Sequence, residues 1–324
     1  MTALRALGDG FRALARSWGL AVALLAVNLL TAAVLAVPLA GEIERALAQS
    51  ESAHRMLYGF DYAWWSRWHE TRAGSATAFA PDILGAGFAY KNVELLLRGY
   101  LPLGLFASGD GPALVDPVTL GLGAVYLAVQ VFLAGGVLSV LRGAQGDWTA
   151  RGLLHGSGFY FGRFARITLI ALALVGLVFA VNAPFTRWVE HRARESVSEN
   201  AAMAWLLGRH ALLLAALAFV HLVSSYARVI TVVEERASAV MAVVSSFFFC
   251  LRHLLPAAAQ VVVVGTGGLL LVALWSAFES AWATTGYRTQ IVALLAAEAV
   301  MLGRIGLRLG LQGSQIALYR RARS

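Results

Sequence analysis

Polar residues that fall inside long apolar runs are where chemistry would have to happen in this chain. Glu298 lies among alanines and leucines, in Leu294-Leu295-Ala296-Ala297-Glu298-Ala299. An ionised carboxylate deep in hydrocarbon costs about 3 kcal/mol on insertion scales, so its side chain should face other helices rather than lipid. Asn28 and Gln130 fall at similar estimated depth in two other runs. The three are expected to meet as an intramembrane polar cluster. Such a cluster serves either to pass a small solute or protons, or only as interhelical hydrogen bonding, worth well below about 2 kcal/mol per contact. A second set, His210, His221, Ser225 and Arg228, shares one face of a helix at offsets of 11, 15 and 18 residues. Histidines lining a cavity relay protons near neutral pH, whereas the same stripe packed against neighbours is structural. Arg304 and Arg308 stand one turn apart near the end of the last run, where they can snorkel to lipid phosphate.

Other candidates are weaker. His54, Asp61, His69 and Glu70 offer ligand chemistry but lack a His-Glu-x-x-His or similar spacing. Gly265-Thr266-Gly267-Gly268 lacks the Lys-Ser/Thr of a phosphate loop and reads, like Gly135-Gly136, as small residues that let helices approach. Cys250 is the only cysteine, so neither an intrachain disulfide nor a thiolate metal cluster is expected. As the only thiol it should react with an impermeant maleimide once the inner face is opened. No nucleophile–base pair stands out, and the sequence points to no catalytic residues, metal or cofactor.

The elements that must position these residues are six apolar stretches: Leu20–Leu39, Val118–Leu141, Ile167–Phe185, Ala204–Ala227, Ala257–Phe278 and Ile291–Leu309. About 20 apolar residues in a helix cover a ~30 Å hydrocarbon layer. Apolar residues are 59% of the 324-residue chain and charged residues 14%, against roughly 45–50% and 25% in soluble domains. The expected fold is all-α, one polytopic membrane domain of six spans in three antiparallel hairpins. The net charge of +8 forms no stripe on a soluble face, which argues against nucleic acid.

The arginines assign sides. Fifteen flank the N-terminus, the second and fourth loops and the tail; five lie in the third and fifth loops. Basic residues favour the cytoplasm, so both termini should face it across a bacterial inner membrane, leaving residues 41–117 outside. Leu20–Leu39 exceeds a signal h-region in length, and Pro38 disfavours cleavage, so this run reads as a retained span.

A segment before each odd-numbered span reads as an amphipathic helix. Leu4, Leu7, Phe11, Leu14 and Trp18 oppose Arg5, Asp9, Arg12 and Arg16; Val240, Val243, Phe247 and Leu251 oppose Ser238, Ser245 and Arg252. The middle copy is looser: Leu153, Leu154, Phe161 and Phe164 oppose Arg151, His155 and Arg166, with Gly156 and Gly158 lowering its helix propensity. Interfacial helices on the inner leaflet, with aromatic belts and snorkelling arginines, account for all three. The expected boundaries are an interfacial helix and span 1 (1–40), the outer insertion (41–117), span 2 (118–141), an interfacial helix with spans 3–4 (147–227), another with spans 5–6 (236–311), and a tail (312–324).

The outer insertion is expected to hold helices at Glu42–Leu57 and Ile83–Leu97. Trp64, Trp65 and Trp68, with Trp18 at the other face, suit interfacial anchors whose rings are apolar and whose N–H stays wet. The run Phe60-Asp61-Tyr62-Ala63-Trp64-Trp65, the run Ser225-Tyr226-Ala227-Arg228-Val229, and the Glu234-Glu235 and Arg252 that follow resemble a group of uncharacterised bacterial six-span membrane proteins. The chain is also loosely similar to the membrane domain of glycerophosphoryl diester phosphodiesterases. That resemblance implies fold and location but no activity, because those enzymes carry catalysis in a separate soluble barrel. Function is expected to be non-enzymatic, binding a protein partner, the bilayer or anionic lipid headgroups. The alternative is a transporter or channel using the midplane polar cluster.

Overall fold

The computed structural model describes residues 2–48, 50–56, 60–71, 117–143, 148–281 and 287–323. Among these residues lie ten helices: α1 (Thr2–Arg16), α2 (Trp18–Leu47), α3 (Ser52–Arg55), α4 (Tyr62–Glu70), α5 (Pro117–Gly143), α6 (Ala150–Arg194), α7 (Glu199–Val233), α8 (Ala239–Arg252), α9 (Leu254–Ala281) and α10 (Tyr287–Arg321). Six of them, α2, α5, α6, α7, α9 and α10, are long and apolar enough to cross a membrane. The chain is an all-α polytopic membrane bundle. The expected helix at Ile83–Leu97 lies outside the described residues.

The lead-in helices α1 and α8 leave their spans at one residue each. Ser17 (φ −119°, ψ 34°) and His253 (φ −120°, ψ 34°) adopt the same bent conformation, directly after Arg16 and Arg252. The middle copy differs from expectation: lead-in and span fuse into α6, 45 residues and about 68 Å long. Thr149 caps its start, the hydroxyl accepting from the Gly152 N–H at 3.1 Å. Phe164 and Ile167, both 0% exposed, carry the helix across the junction. Packing there overrides the weak propensity of its glycines. The three copies still share one register. Phe11, Phe161 and Phe247 each stand five residues before the closing arginine and are exposed alike, at 37, 39 and 41%.

These lead-in helices do not lie apart on the surface of the bundle. Each packs along the terminal half of the span that precedes it around the ring: α6 on α5, α8 on α7, and α1 on α10. Small residues make the contacts close. A Cβ on Gly136 of α5 would sit 2.1 Å from the Leu153 carbonyl oxygen, and one on Gly10 of α1 would sit 2.4 Å from the Gly310 carbonyl oxygen. In the third pair the Ser246 hydroxyl donates to the Val223 carbonyl at 2.6 Å. By contrast Gly265 and Gly268 of α9 have nothing within 4 Å of an added Cβ, and Gly267 meets Leu307 only at ordinary contact distance. The approach expected at that run is absent.

Most of the core therefore lies at one end, where both described chain ends also lie. Leu20, Leu138, Phe164, Ile167, Ile230, Leu309 and Ile316 belong to one buried cluster there. Arg321 bridges to Asp9. Glu234, in the α7–α8 turn, accepts from Tyr319 and Arg236 and pairs with Arg323, while Glu235 pairs with Arg142 at 2.8 Å. Burial, the largest single effect, pushes the Glu234 carboxyl up; the bonds from Tyr319 and Arg236 and the charges of Arg236 and Arg323 outweigh it and hold it below the ordinary glutamate value. Toward the other end the helices expose leucines and valines such as Leu30, Leu177, Val181 and Leu295, the surface that lipid covers.

Candidate functional site

Three spans bring the first polar group together. Gln130 Nε2 of α5 donates to Asn28 Oδ1 of α2 at 2.9 Å, joining two of the three residues of the expected cluster. The third partner is Arg308 of α10, whose Nη1 donates to Gln130 Oε1 at 3.3 Å. Glu298 is elsewhere. It stands ten residues, about 15 Å of helix, from Arg308. Its buried Oε2 has no hydrogen-bond partner among the described residues. The depths differ because α10 runs on to Arg321, well past the expected span end at Leu309. Counted from the common end, Gln130 and Arg308 each stand thirteen residues before the last residue of their helix, Gly143 and Arg321.

This group lines a cleft between α2, α5 and α10. Leu24, Leu133, Ala134, Val137, Ile305 and Leu309 form its apolar wall. Asn28, Gln130, Arg308 and Gln312 supply the polar atoms. Arg308 stays exposed at the mouth. The Gln312 amide oxygen is buried and unpartnered, and half a turn of the amide would present its N–H₂ instead.

Arg308, Gln312 and Gln315 recur at helical spacing on one side of α10, which leads to the second group. The Ser225 hydroxyl of α7 donates to Gln315 Oε1 at 2.7 Å, leaving Nε2 of the fully buried Gln315 without an acceptor. One turn along α7, Arg228 Nη2 donates to Thr168 Oγ1 of α6 at 3.4 Å, and its buried Nε has no acceptor. Thr168 is itself tied down, donating to the Phe164 carbonyl at 2.8 Å. The expected histidine stripe thus divides: Ser225 and Arg228 join this group, His221 is exposed one turn before Ser225 on α7, and His210 sits at the far end beside Arg209, which pairs with Glu190 at 3.5 Å.

No family model, curated protein or solved structure matches the chain.

The arrangement can bind a negative charge. Neither Arg228 nor Arg308 has a carboxylate at ion-pair distance among the described residues. Arg304, which is exposed, lines a separate apolar hollow with Val272, Trp275, Ala297, Val300 and Met301. Among the described residues no three His, Cys, Asp or Glu side chains gather where a metal ion could be held.

The tryptophans divide as well. Trp18 is exposed, but Trp64 and Trp68 turn inward, 6 and 5% exposed, stacked on each other at 5.6 Å. They pack against Leu39, Ile43, Ala46 and Leu47 where α2 extends beyond the hydrocarbon, and Trp65 stacks on His69. Asp61 caps α4, accepting from the Trp64 N–H at 3.0 Å. That bond, against some burial and helped by Arg55 and Ser52, holds its carboxyl below the ordinary aspartate value.

Sequence reasoning missed Gln312, Gln315 and Thr168. A line of long polar side chains on one face of the last helix was the available signal.

Proposed function

We propose that the protein is a non-enzymatic membrane component that binds an anionic lipid by its headgroup, with both described ends facing the cytoplasm and residues 41–117 opposite. One observation carries the reading. Arg308 stands at the mouth of the cleft between α2, α5 and α10, bonded to Gln130, with no carboxylate at ion-pair distance among the described residues. A cation at the edge of hydrocarbon with no protein counter-charge favours an anion that can come to it. Lipid of the same leaflet is the nearest abundant source. The apolar wall of the cleft suits an acyl chain, and its few convergent polar groups suit a head. The arginine excess in short loops supports the orientation, and anionic lipid attracts juxtamembrane bases on that side. The resemblance of the Ser225–Val229 run to a phosphodiesterase membrane domain supports membrane location and lends no activity.

The test is native mass spectrometry of the protein released from nanodiscs of phosphatidylcholine doped with phosphatidylglycerol or phosphatidic acid. Retained anionic lipid that is lost in Arg308→Gln supports the reading; equal retention by the variant overturns it.

One observation favours a second reading, passage of a small anion. The polar line on α10 continues from Arg308 through Gln312 and Gln315 to Tyr319, which reaches Glu234 at the basic end. Flux of phosphate into proteoliposomes above the rate of protein-free vesicles would favour it.

A further inference from the structure

We propose that the headgroup taken up at the cleft between α2, α5 and α10 is a phosphate ester with an uncharged arm that ends in a hydroxyl, as in phosphatidylglycerol. Its phosphate sits on Arg308 and its hydroxyl on Gln312. This rests on the anionic-headgroup reading above and narrows the head.

Arg308 and Gln312 form one site by position. Both line the same cleft, and Gln312 follows Arg308 by four residues, so the two side chains stand one above the other on α10 with about 6 Å of rise between them. Arg308 is held at the mouth by Gln130, whose own amide is fixed by Asn28. One guanidinium N–H is used there; a guanidinium has five, and the others can face a phosphate.

The direction of a lipid agrees. Gln312 lies beyond Arg308 toward the basic end of the bundle. Two turns the other way, on the same helix faces as Arg308 and Asn28, stand Met301 and Leu35, apolar and open in part to lipid. Chains laid along Met301 and Leu35, with the phosphate at Arg308, send the head arm toward Gln312. The cleft encloses about 40 Å³, room for about three groups the size of a water. That admits the tip of a slender arm and leaves the phosphate at the mouth.

The tip is chosen by hydrogen bonding and charge. The Gln312 amide oxygen is buried and meets no donor among the described residues, which costs stability for as long as the bond is unmade. As placed, the amide asks for a donor; turned over, it asks for an acceptor. A hydroxyl answers either way. An alkyl tip answers neither. An ammonium answers only the first, and no carboxylate is among the residues lining the cleft, so it would be buried beside Arg308 as a second unpaired cation.

The experiment puts the full chain in phosphatidylcholine nanodiscs doped with one of three lipids, and native mass spectrometry reads which is retained. Phosphatidylglycerol carries the hydroxyl arm. Phosphatidylpropanol keeps the charge and the three carbons but has no hydroxyl, and phosphatidylethanolamine carries an ammonium. Phosphatidylglycerol is expected to be retained about threefold to tenfold over phosphatidylpropanol, the worth of one hydrogen bond between uncharged groups, and by more over phosphatidylethanolamine. Gln312→Leu should bring phosphatidylglycerol down to the level of phosphatidylpropanol and leave the latter unchanged, whereas Arg308→Gln should lower both.

Glycerol phosphate added to undoped discs is the soluble arm. A rise in melting temperature with it, absent in Gln312→Leu, supports the same chemistry with a free solute as its source. Equal retention of phosphatidylglycerol and phosphatidylpropanol, still lost in Arg308→Gln, overturns the hydroxyl arm and leaves the anionic-lipid reading standing. A preference that survives Gln312→Leu overturns the hydroxyl arm too. Retention that Arg308→Gln does not change, or no response to any of the four probes, overturns both.

Undoped discs guard against a variant that merely unfolds. Leucine matches the apolar wall of the cleft and removes the unmade oxygen, so Gln312→Leu without added ligand is expected to melt at or above the parent. A lower melting point there means that the fold already satisfies Gln312, and the proposal fails.

Discussion

Replacing Gly136 by alanine tests whether the lead-in helices hold the bundle together. Its added Cβ would lie 2.1 Å from the Leu153 carbonyl oxygen, 2.4 Å from Ser157 Oγ and 2.9 Å from Leu153 Cδ1. Ordinary contacts between heavy atoms need about 3.5 Å, so α5 and α6 must part by about 1 Å along the seam. The carbonyl is backbone and cannot swing aside as a side-chain tip would. Overpacking of this kind costs about 1–3 kcal/mol, and the upper end applies because the same seam carries Gly135, Gly156 and Ser139. For a chain of this size that lowers the melting midpoint by roughly 5–10 °C. The assay is fluorescence-detected size exclusion of heated, detergent-solubilised protein. Gly158→Ala is the matched control, two residues beyond Gly156 on α6 with nothing within 4 Å of the new methyl. There alanine should be neutral or stabilising by up to about 1 kcal/mol, because glycine loses more backbone freedom on entering a helix. If Gly136→Ala melts at or above the parent, or if both variants shift alike, the close seam does not support the fold.

Three further outcomes are expected. Cys250 is 0% exposed and burial pushes its thiol up to about 11, so its thiolate fraction near neutral pH falls about a hundredfold below that of a free thiol. Maleimide labelling of the native protein should be undetectable from either face on the timescale that labels a cysteine placed at exposed Arg323; prompt labelling would refute the packing of α8. The depressed Glu234 carboxyl contributes stability that is fully present above the ordinary glutamate value, about 4.3, and is lost as pH falls through its lowered folded value. The parent should therefore lose more melting temperature between pH 5 and pH 3 than Glu234→Gln does, and parallel curves would contradict this. Glu235 has φ 54°, a left-handed conformation that costs a non-glycine residue about 1–2 kcal/mol. Its ion pair with Arg142 is solvent-facing and worth at most about 1 kcal/mol, so Glu235→Gly should be neutral or stabilising in the same melting assay, and a clear loss would give the pair more weight than argued.

The spans were legible because a continuous apolar run of bilayer length rarely arises in a water-soluble fold. Amphipathic spacing likewise pointed to α1 and α8, whose opposed faces are written in residue type. The partner of each lead-in helix was not legible. Gly136 and Gly10 announce close approach, but glycine does not say what approaches, and α1 meets its partner at the opposite end of the chain. Gln130 and Asn28 were found together since both are polar in hydrocarbon. Arg308, one turn from Arg304 near a span end, reads from sequence as a base that snorkels to lipid phosphate. Its turn toward Gln130 follows from the extension of α10, which the polar residues after Leu309 concealed. Trp64 and Trp68 looked like anchors for want of any sign that α2 would continue to Leu47 and offer them a surface.

The seam between α1 and α10 sets a problem of timing during synthesis. Two lead-in helices emerge from the ribosome directly after the helix they clasp, so their pairing waits only for a turn. The first helix made must wait for the last, since Gly10 and Gly310 are separated by the rest of the chain. At about 5–20 residues per second that delay is on the order of 15–60 s. Throughout it, Ala6, Phe11 and Leu14 lack Leu318, Gly310 and Gly306 of α10, which they meet in the finished fold. The bilayer surface is the natural waiting place for such a helix, from which it is withdrawn when the closing element arrives.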